Sequence, residues 1–448
     1  MKAIFASKKT RLGLSLTCIC VLVMGLAACA PQQPSEDANK GAESVVDFKI
    51  PAANENGIIT ADAWQEVYPD EYATYKQNGE NKDPGDYTQI YPQIQTIWAG
   101  SAFSKFYAEP NGHVYSLTDI NETGRNPKTA NCLTCKSSEF ILKQNADPTL
   151  NTSDIQAMKA QVSEPISCYD CHENSPAEGA KAIRQFFVNA VGDDASKVPE
   201  GAMSCGQCHN EYLFPNENKS AENPWKGLAE ATPEKVLAYE NSINYVDHTN
   251  PTNGTKQLKV QHPEFETMYG GDMAPMAKQG YSCSDCHMAP AEGANGEYTS
   301  HNWVSPLENK QLIENDCSKC HDDLEKKVKD IQAEEEERVT SISEKIEQMT
   351  KQVAERYADE IAAIKAAKEA GGEVPAASEE LQTLWTLQRN AQFYWDFVMV
   401  ENSEGAHNSV LTRETLDKAE AAVDEGLALL AYPPPDSGSD ASARDFRS

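Results

Sequence analysis

The sequence predicts an all-α protein on three observations. No stretch alternates apolar and polar residues over the length of a β-strand. Ten cysteines fall into closely spaced C-x-x-C pairs that are joined by short loops. After residue 321, apolar residues recur at spacings of three and four, which is the period of an α-helix that buries one face.

Three long helices are predicted in the C-terminal part of the chain. The first begins after residue 321 and ends at Gly371-Gly372. At about 1.5 Å per residue it would measure about 75 Å, more than one domain needs. Ser378 is expected to cap a second helix that runs to about Val400, and Thr412 a third that runs to Leu430. Helices of this kind form either a core scaffold or a dimer interface.

The N-terminal residues have the composition of a targeting segment. Lysines and one arginine precede an apolar run at 12–26, and Leu26-Ala27-Ala28-Cys29 has the form of a lipobox. We therefore expect a signal peptide at 1–28 and an exported protein, periplasmic or on the outer face of the cytoplasmic membrane, anchored by lipid at Cys29. A plain signal peptide cut near the same place is the alternative.

Both ends of the mature chain are polar. Residues 29–57 are predicted to form a flexible tether, and residues 433–448, which open with prolines and continue with Ser and Asp, a disordered tail. The chain carries 39 Lys and Arg against 69 Asp and Glu, a formal net charge of −30. Such a surface favours solubility and excludes nucleic acid as a partner, because phosphate would be repelled.

The cysteines carry the strongest functional signal. Of the 13, Cys18, Cys20 and Cys29 belong to the targeting segment, and the other ten form five C-x-x-C pairs. Four pairs continue directly to histidine: Cys168–Cys171–His172, Cys205–Cys208–His209, Cys283–Cys286–His287 and Cys317–Cys320–His321. C-x-x-C-H is the attachment motif of haem c, in which two thiols bind the vinyl groups and the histidine binds iron. Disulfides or zinc sites would use the same pairs, but neither explains four adjacent histidines.

The first pair in the chain differs from the other four. Cys132 and Cys135 are followed by Lys136 instead of histidine. A neutral lysine amine can bind iron where the site removes its proton. A decayed motif, or a disulfide beside an incidental lysine, is the alternative. The favoured interpretation is five covalently bound haems, with the first suited to catalysis. The catalytic region is expected at 58–315, and a region of long helices that carries the fifth motif at 316–432.

C-x-x-C-K followed by four C-x-x-C-H motifs resembles the pentahaem, ammonia-forming cytochrome c nitrite reductases, over roughly residues 58–430. The resemblance implies six-electron reduction of nitrite to ammonium at the Lys136 haem, with four other haems carrying electrons. It also implies a homodimer formed through the long helices, and electrons supplied by a quinol-oxidising membrane cytochrome.

The resemblance also implies catalytic residues. Arg125 ends a stretch that begins at Thr118, and Tyr212 closes a C-x-x-C-H-x-E-Y motif. His262 lies in a K-x-Q-H-P-E stretch. Together with Lys136, these residues match the family's catalytic set in the family's order. Arg125 and His262 would bind nitrite, and His262 and Tyr212 would supply protons.

A calcium ion is implied beside these residues. Glu211 and Gln261 would provide side-chain oxygens, and Tyr212 and Lys259 backbone carbonyls. Calcium prefers such oxygen ligands. The ion would add positive charge at a site that must attract an anion.

The distal haem ligands include one departure from the family pattern. His113, His301 and His407 match distal histidines, but the fourth position, eleven residues after His262, is Met273. We expect Met273 to bind the haem of Cys283–His287 or that of Cys317–His321. His248 is the alternative ligand, since it would complete four bis-histidine haems.

Two other functions fit the same motifs. A multihaem cytochrome without enzymatic activity would use the five haems to pass electrons to an external acceptor. The same fold with another substrate, such as sulfite or hydroxylamine, would share the small site.

Overall fold

The computed structural model describes residues 49–82, 85–109, 111–122, 127–294 and 296–431. The predicted signal peptide, Cys29, Arg125 and the tail at 433–448 lie outside the described residues.

The N-terminal three quarters consist of short helices. The α-helices are α1 (Ala61–Trp64), α2 (Pro69–Gln77), α3 (Tyr87–Ile90), α4 (Ile94–Ile97), α5 (Asp119–Glu122), α6 (Ser138–Ala146), α7 (Ile155–Lys159), α8 (Cys168–His172), α9 (Gln185–Val191), α10 (Glu200–Gly206), α11 (Pro233–Ser242), α12 (Glu264–Tyr269), α13 (Pro275–Lys278), α14 (Cys283–His287) and α15 (Lys310–Asn315). Single 3₁₀ turns lie between them at Asn78–Glu80, Ala102–Ser104, His113–Tyr115, Ala130–Leu133, Pro148–Thr152, Pro176–Glu178, Gly192–Lys197, Leu228–Glu230, Pro306–Glu308 and Cys317–Lys319.

Strands are few and short in the described part of the chain. β1 (His248–Thr249) pairs antiparallel with β2 (Lys256–Gln257), with His248 opposite Gln257. β3 (Pro290–Gly293) pairs antiparallel with β4 (Gly296–Thr299). The predicted all-α class is confirmed, with these two small hairpins added.

Two haem motifs begin helices through their own sequence. In α8, the Ser167 amide donates to Asp170 while Asp170's own amide bonds back to Ser167, which makes a capping box. In α14, Ser282 and Asp285 form the same arrangement. Because this motif satisfies the free amides of the first turn, each helix can begin at the first cysteine and end at the histidine.

The C-terminal part contains α16 (Leu324–Arg356), α17 (Ala358–Glu369), α18 (Glu379–Met399) and α19 (Ser409–Ala431). The single helix predicted from 321 to 371 is wrong, because Tyr357, at φ −110° and ψ 24°, separates α16 from α17. Ser378 does cap α18, since its hydroxyl accepts from the Leu381 amide. None of the described helices is long and apolar enough to cross a membrane.

The predicted cap at Thr412 is wrong as well. Helix α19 begins one turn earlier, at Ser409. The Asn408 side chain accepts from the Leu411 amide at 3.3 Å, so Asn408 occupies the capping position. Asparagine serves in this position as well as threonine does.

The main apolar core lies where α16, α18 and α19 pack together. Leu384, Phe393 and Trp395 of α18 are fully buried against the apolar face of α16. A smaller core, separate from the first, surrounds the Lys136 motif and includes Leu133 and Phe140.

Helix α18 also holds the segment that precedes His262. The Gln392 side chain bonds to both the amide and the carbonyl of Leu258. Asp396 accepts from the Val260 amide at 3.0 Å and from the Tyr107 hydroxyl at 2.8 Å. The long C-terminal helices therefore help to position the predicted catalytic histidine.

Candidate haem and catalytic site

Three pairs of imidazole rings are spaced as ligands of a shared iron would be. The ring centroids are 6.2 Å apart in His172–His301, and 6.1 Å apart in His113–His209 and in His287–His407. Metal–imidazole bonds of about 2 Å on opposite sides of one ion give ring centres separated by about 6 Å. Each of these three pairs joins one C-x-x-C-H histidine to one predicted distal histidine, so these residues fit haem. His209 also lies 5.9 Å from the ring of the predicted catalytic His262, so its pairing with His113 rests on the predicted distal role of His113 as well as on spacing.

Hydrogen bonds at Nδ1 orient the rings. Nδ1 of His172, His287 and His301 each lies 2.9 Å from a backbone carbonyl, those of Gly179, Val304 and Thr299 respectively. A hydrogen on Nδ1 that is donated in this way leaves Nε2 as the nitrogen that binds metal.

Two of the predicted ligand histidines face carboxylates instead. His407 Nδ1 lies 2.6 Å from Glu401 Oε1, and Glu401 is buried. His209 Nδ1 lies 3.6 Å from Glu264 Oε2. A carboxylate partner makes a metal-binding imidazole a stronger electron donor than a carbonyl does. The sequence analysis did not identify either glutamate as functional.

A cavity of about 360 Å³ lies against Cys286 and His287 and extends to Val304 and Lys310. Its size is within the range of cofactor sites, about 300–1,000 Å³. All ten paired cysteines are free of disulfide bonds, so the structure leaves them available for thioether links.

The fifth motif has a less defined partner. His287 is paired with His407, so the geometry leaves the motif of His321 as the one that Met273 could serve. Met273 is half-buried against the main core. His248 hydrogen-bonds through Nε2 to the Ala99 carbonyl at 2.8 Å and lies beside Trp98, which makes it a poor candidate for iron.

Contacts between cysteines connect the motifs, which we number 1 to 5 in chain order. Cys135 of motif 1 hydrogen-bonds to Cys208 of motif 3. Cys205 of motif 3 hydrogen-bonds to Cys283 of motif 4, and Cys171 of motif 2 interacts with Cys208. Motif 3 therefore lies beside motifs 1 and 4.

Two of the predicted catalytic residues, Tyr212 and His262, interact with residues of motif 1. The Tyr212 hydroxyl hydrogen-bonds to Cys135, and Tyr212 packs edge-on against Phe186 and Phe214. Lys136 interacts electrostatically with both His113 and His262. Arg125 lies outside the described residues, so its position stays a prediction.

His262 is held on both sides and has an unused nitrogen. Its Nδ1 is buried without a hydrogen-bond partner in the protein. The preceding Gln261 amide donates to Glu211 at 2.5 Å. Burial lowers the pKa of His262 to about 4, with Glu264 opposing the shift and the neighbouring cations adding to it.

The four predicted calcium ligands lie close together. Besides the bond from the Gln261 amide to Glu211, the Gln261 side-chain amide lies 3.3 Å from the Lys259 carbonyl. Exchange of that amide's oxygen and nitrogen would turn the oxygen toward the other ligands. Burial, then Glu240 and Glu266, raise the pKa of Glu211 well above its usual value, and a cation would offset this crowding of negative charge.

The calcium set contains only one carboxylate side chain. The described residues include no cluster of three or more His, Cys, Asp or Glu that is arranged to hold a metal ion. A site formed by one carboxylate, one amide and two carbonyls is consistent with that finding, because most of its oxygens come from other groups.

The fold and the paired histidines define a multihaem c-type cytochrome. The model of the cytochrome c552 family matches residues 60–442, and the chain belongs to this family. The resemblance to the pentahaem nitrite reductases is confirmed at the level of family and fold.

Solved structures share this fold to different degrees. The cytochrome c nitrite reductase of Desulfovibrio desulfuricans, whose catalytic subunit NrfA has two calcium sites, is 22% identical over 85% of this chain and 87% of its own, with a TM-score of 0.69. The outer cell wall cytochrome OcwA is 18% identical over 75% of this chain and 50% of its own, with a TM-score of 0.39. The undecahaem S-layer cytochrome of Carboxydothermus ferrireducens is 18% identical over 70% and 41%, with a TM-score of 0.34.

Proposed function

We propose that the protein is an ammonia-forming cytochrome c nitrite reductase that reduces nitrite to ammonium with six electrons. The observation that carries this proposal is the Lys136 motif, since Tyr212 bonds to its second cysteine and His262, whose buried Nδ1 has no partner in the protein, interacts electrostatically with Lys136. A haem with lysine in place of histidine, surrounded by proton donors, differs from the bis-histidine arrangement of a pure electron carrier.

The chain's own residues bind and protonate the substrate. Haem attached at Cys132 and Cys135 and held by Lys136 would supply redox-active iron, with the six electrons coming from the external donor. His262 and Arg125 donate hydrogen bonds to the nitrite oxygens, where negative charge grows as the N–O bonds break. The Tyr212 hydroxyl and His262 deliver protons to the departing oxygens.

The remaining motifs deliver electrons. The paired imidazoles of motifs 2, 3 and 4 would hold haem iron from two histidines each, an arrangement that suits electron transfer without substrate binding. Motifs 1, 3 and 4 adjoin one another through their cysteines, which suits a series of carriers that lets a one-electron donor serve a multi-electron reaction. A quinol-oxidising membrane cytochrome is the proposed donor.

Several finer assignments belong to the same proposal. The mature protein carries five haem c groups and one calcium ion held by Glu211, Tyr212, Lys259 and Gln261. It is exported, anchored through Cys29, and forms a homodimer through its long helices. Met273 would be the second protein ligand, with His321, of the haem of motif 5.

The decisive test is steady-state reduction of nitrite by a reduced dye, with ammonium quantified. Lys136→His should keep five haems by intact mass but reduce nitrite poorly, because the axial ligand governs haem reactivity. Lys235→His, at an exposed ion pair with Glu230, is the matched control. Unchanged turnover in Lys136→His, or four haems in the wild type, would contradict the proposal.

Spectroscopy separates the enzyme from a pure electron carrier. An oxidised enzyme with an open iron position should give a high-spin signal, whereas an electron carrier gives low-spin signals throughout. Sulfite and hydroxylamine are assayed in parallel with nitrite, and a clear preference for either would replace nitrite as the substrate.

The calcium and Met273 assignments have their own measurements. Chelation should lower turnover and release calcium detectable by elemental analysis; an insensitive, calcium-free enzyme would remove that site.

A His/Met near-infrared band should be present in the wild type and absent in Met273→Leu. Loss of a low-spin haem in His248→Ala would instead favour His248.

A further inference from the structure

A buried polar cluster joins the first three haem motifs. Each motif contributes the residue before its second cysteine: Thr134, Asp170 and Gln207. All three meet at Arg184, which belongs to none of the motifs. We call these four residues the Arg184 cluster.

Hydrogen bonds connect every member. Arg184 Nε donates to the Thr134 carbonyl at 2.8 Å, and Nη2 donates to Asp170 Oδ1 at 2.7 Å. The Arg184 backbone amide donates to Gln207 Oε1 at 3.1 Å. Gln207 Nε2 then donates to the Asp170 carbonyl at 2.8 Å. One residue therefore links three attachment sites, since its side chain bonds to motifs 1 and 2 and its backbone amide bonds to motif 3.

The cluster is closed to water. Arg184 is 1% exposed and Asp170 2% exposed. Arg184 Nη1 is buried with no hydrogen-bond partner in the protein. Burying a guanidinium with an unused donor lowers the stability of the fold, because the unmatched donor loses its bond to water.

The two charges of the cluster are placed differently relative to the motifs. Arg184 bonds to the Thr134 carbonyl of motif 1 and, through its backbone amide, to Gln207 of motif 3, in addition to its ion pair with Asp170. The Asp170 carboxylate also accepts from the Ser138 hydroxyl, two residues after Lys136, at 2.7 Å. Asp170 lies inside motif 2. Once the cysteines are thioethers they carry no charge, so Asp170 remains as the counter-charge. In a low-dielectric interior, a cation favours an added electron nearby and an anion disfavours it.

We propose that Arg184 is a positioning residue that holds motifs 1, 2 and 3 in register, and that the Arg184–Asp170 pair biases electrons from the haem of motif 2 toward those of motifs 3 and 1. The activity consequence rests on the proposed catalytic role of motif 1. The redox consequence does not, because it depends only on haem being attached at these motifs.

The test compares charge loss with charge retention in the full-length holoprotein. Spectroelectrochemical titration, with EPR to separate the haems, is carried out on Arg184→Gln and Arg184→Lys. In Arg184→Gln, the equilibrium constant for one-electron reduction of the motif 1 haem should fall about tenfold, which lowers its reduction potential by about 59 mV. Arg184→Lys should shift it by much less, because the charge is retained.

Asp170→Asn provides a test of sign. Removing the carboxylate leaves the Arg184 charge uncompensated, so the motif 1 haem should become easier to reduce. Structural damage would not give opposite signs in Arg184→Gln and Asp170→Asn. If Arg184→Gln does not accumulate as a holoprotein, Asp170→Asn and Arg184→Lys decide the question.

Arg356→Gln is the matched control. Arg356 bonds to the Leu429 and Leu430 carbonyls, and its Nε is also buried without a partner, but it lies among the C-terminal helices. Its replacement should leave the haem potentials unchanged. Equal shifts in Arg184→Gln and Arg184→Lys, a downward shift in Asp170→Asn, or no shift in any variant would overturn the proposal.

The redox experiment contains no nitrite, so its failure is distinct from failure of the proposed function. A wild type that does not reduce nitrite but gives the expected shifts would remove the nitrite assignment and keep the Arg184 inference. An enzyme that reduces nitrite but shows none of the shifts would keep the nitrite assignment and remove the Arg184 inference. A stopped-flow measurement should also find slower reduction of the motif 1 haem in Arg184→Gln.

Discussion

The haem-motif region, residues 58–321, and the helical region, residues 324–431, are stabilised in different ways. In the helical region, helices of 33, 21 and 23 residues bury continuous apolar faces. In the haem-motif region, helices of 4 to 10 residues are held by buried polar contacts such as Arg184–Asp170. Short isolated helices are unstable in water, so this region depends on its cofactors and on specific bonds.

The helical region is mainly a scaffold and the haem-motif region carries the predicted site residues, but the two regions are not independent. Asp396 and Gln392 of α18 hold the segment before His262. The loop between α18 and α19 supplies His407 to motif 4. Changes in the helical core should therefore alter stability first, and changes at the contacts between the regions should alter redox behaviour or turnover.

The largest expected effect is on stability. Phe393→Ala removes a fully buried ring from α18 and should lower the free energy of unfolding by about 3–5 kcal/mol. Denaturant titration followed by far-UV circular dichroism measures it. Val410→Ala, at a site 59% exposed, should cost under about 0.5 kcal/mol. Equal losses in the two variants would mean that the helical core does not carry the stability of this region.

The next effect is on catalysis. His262→Ala should lower nitrite turnover by about 10²–10³, or about 2.7–4 kcal/mol in the barrier, the scale for losing one donor to a developing anion. Haem content should remain five by mass, and Arg125→Ala should behave alike. His248→Ala, whose ring bonds to a backbone carbonyl, is the control and should keep its activity. A loss under tenfold at saturating nitrite would place His262 away from the transition state.

A smaller effect should appear where the regions meet. Glu401→Gln replaces the carboxylate beside His407 with a neutral acceptor, which weakens the donor strength of the imidazole. The equilibrium constant for one-electron reduction of the motif 4 haem should then rise about tenfold, which raises its reduction potential by about 59 mV. Glu404→Gln, an exposed residue of the same loop, should leave it unchanged. The absence of a shift in the redox titration would mean that the Glu401 charge does not reach the iron.

The smallest effect concerns the helix cap. Ser378→Ala removes the acceptor for the Leu381 amide and should cost about 1 kcal/mol of stability. Thr383→Ala, exposed within the same helix, removes a hydroxyl without removing a cap and should be nearly neutral. Thermal unfolding measures both variants, and a larger loss in Thr383→Ala would argue that Ser378 does not start the helix.

Local sequence signals predicted some elements well and others poorly. Periodicity and the Ser378 cap located α18, because both act within a few residues. The same signals do not predict the break between α16 and α17 at Tyr357, because the helical spacing of apolar residues continues through it. The start of α19 was placed at Thr412, although Asn408 provides an equivalent acceptor one turn earlier.

The sequence by itself determined the haem attachment sites. The two cysteines and the axial residue of each motif are adjacent in the chain, and covalent geometry requires that spacing whatever the rest of the fold does. Lys136 could be singled out for the same reason. Its departure from the motif is visible in the residues alone.

Only the tertiary structure decided which groups meet across the fold. It paired His172 with His301 and His287 with His407, brought Glu401 to its histidine, and gathered three motifs around Arg184. None of these contacts can be predicted from neighbouring residues, because a single histidine, glutamate or arginine in the sequence does not show whether its side chain is exposed or buried. Packing of distant helices selects the partner, and burial gives a single charge or hydrogen bond its effect on the iron.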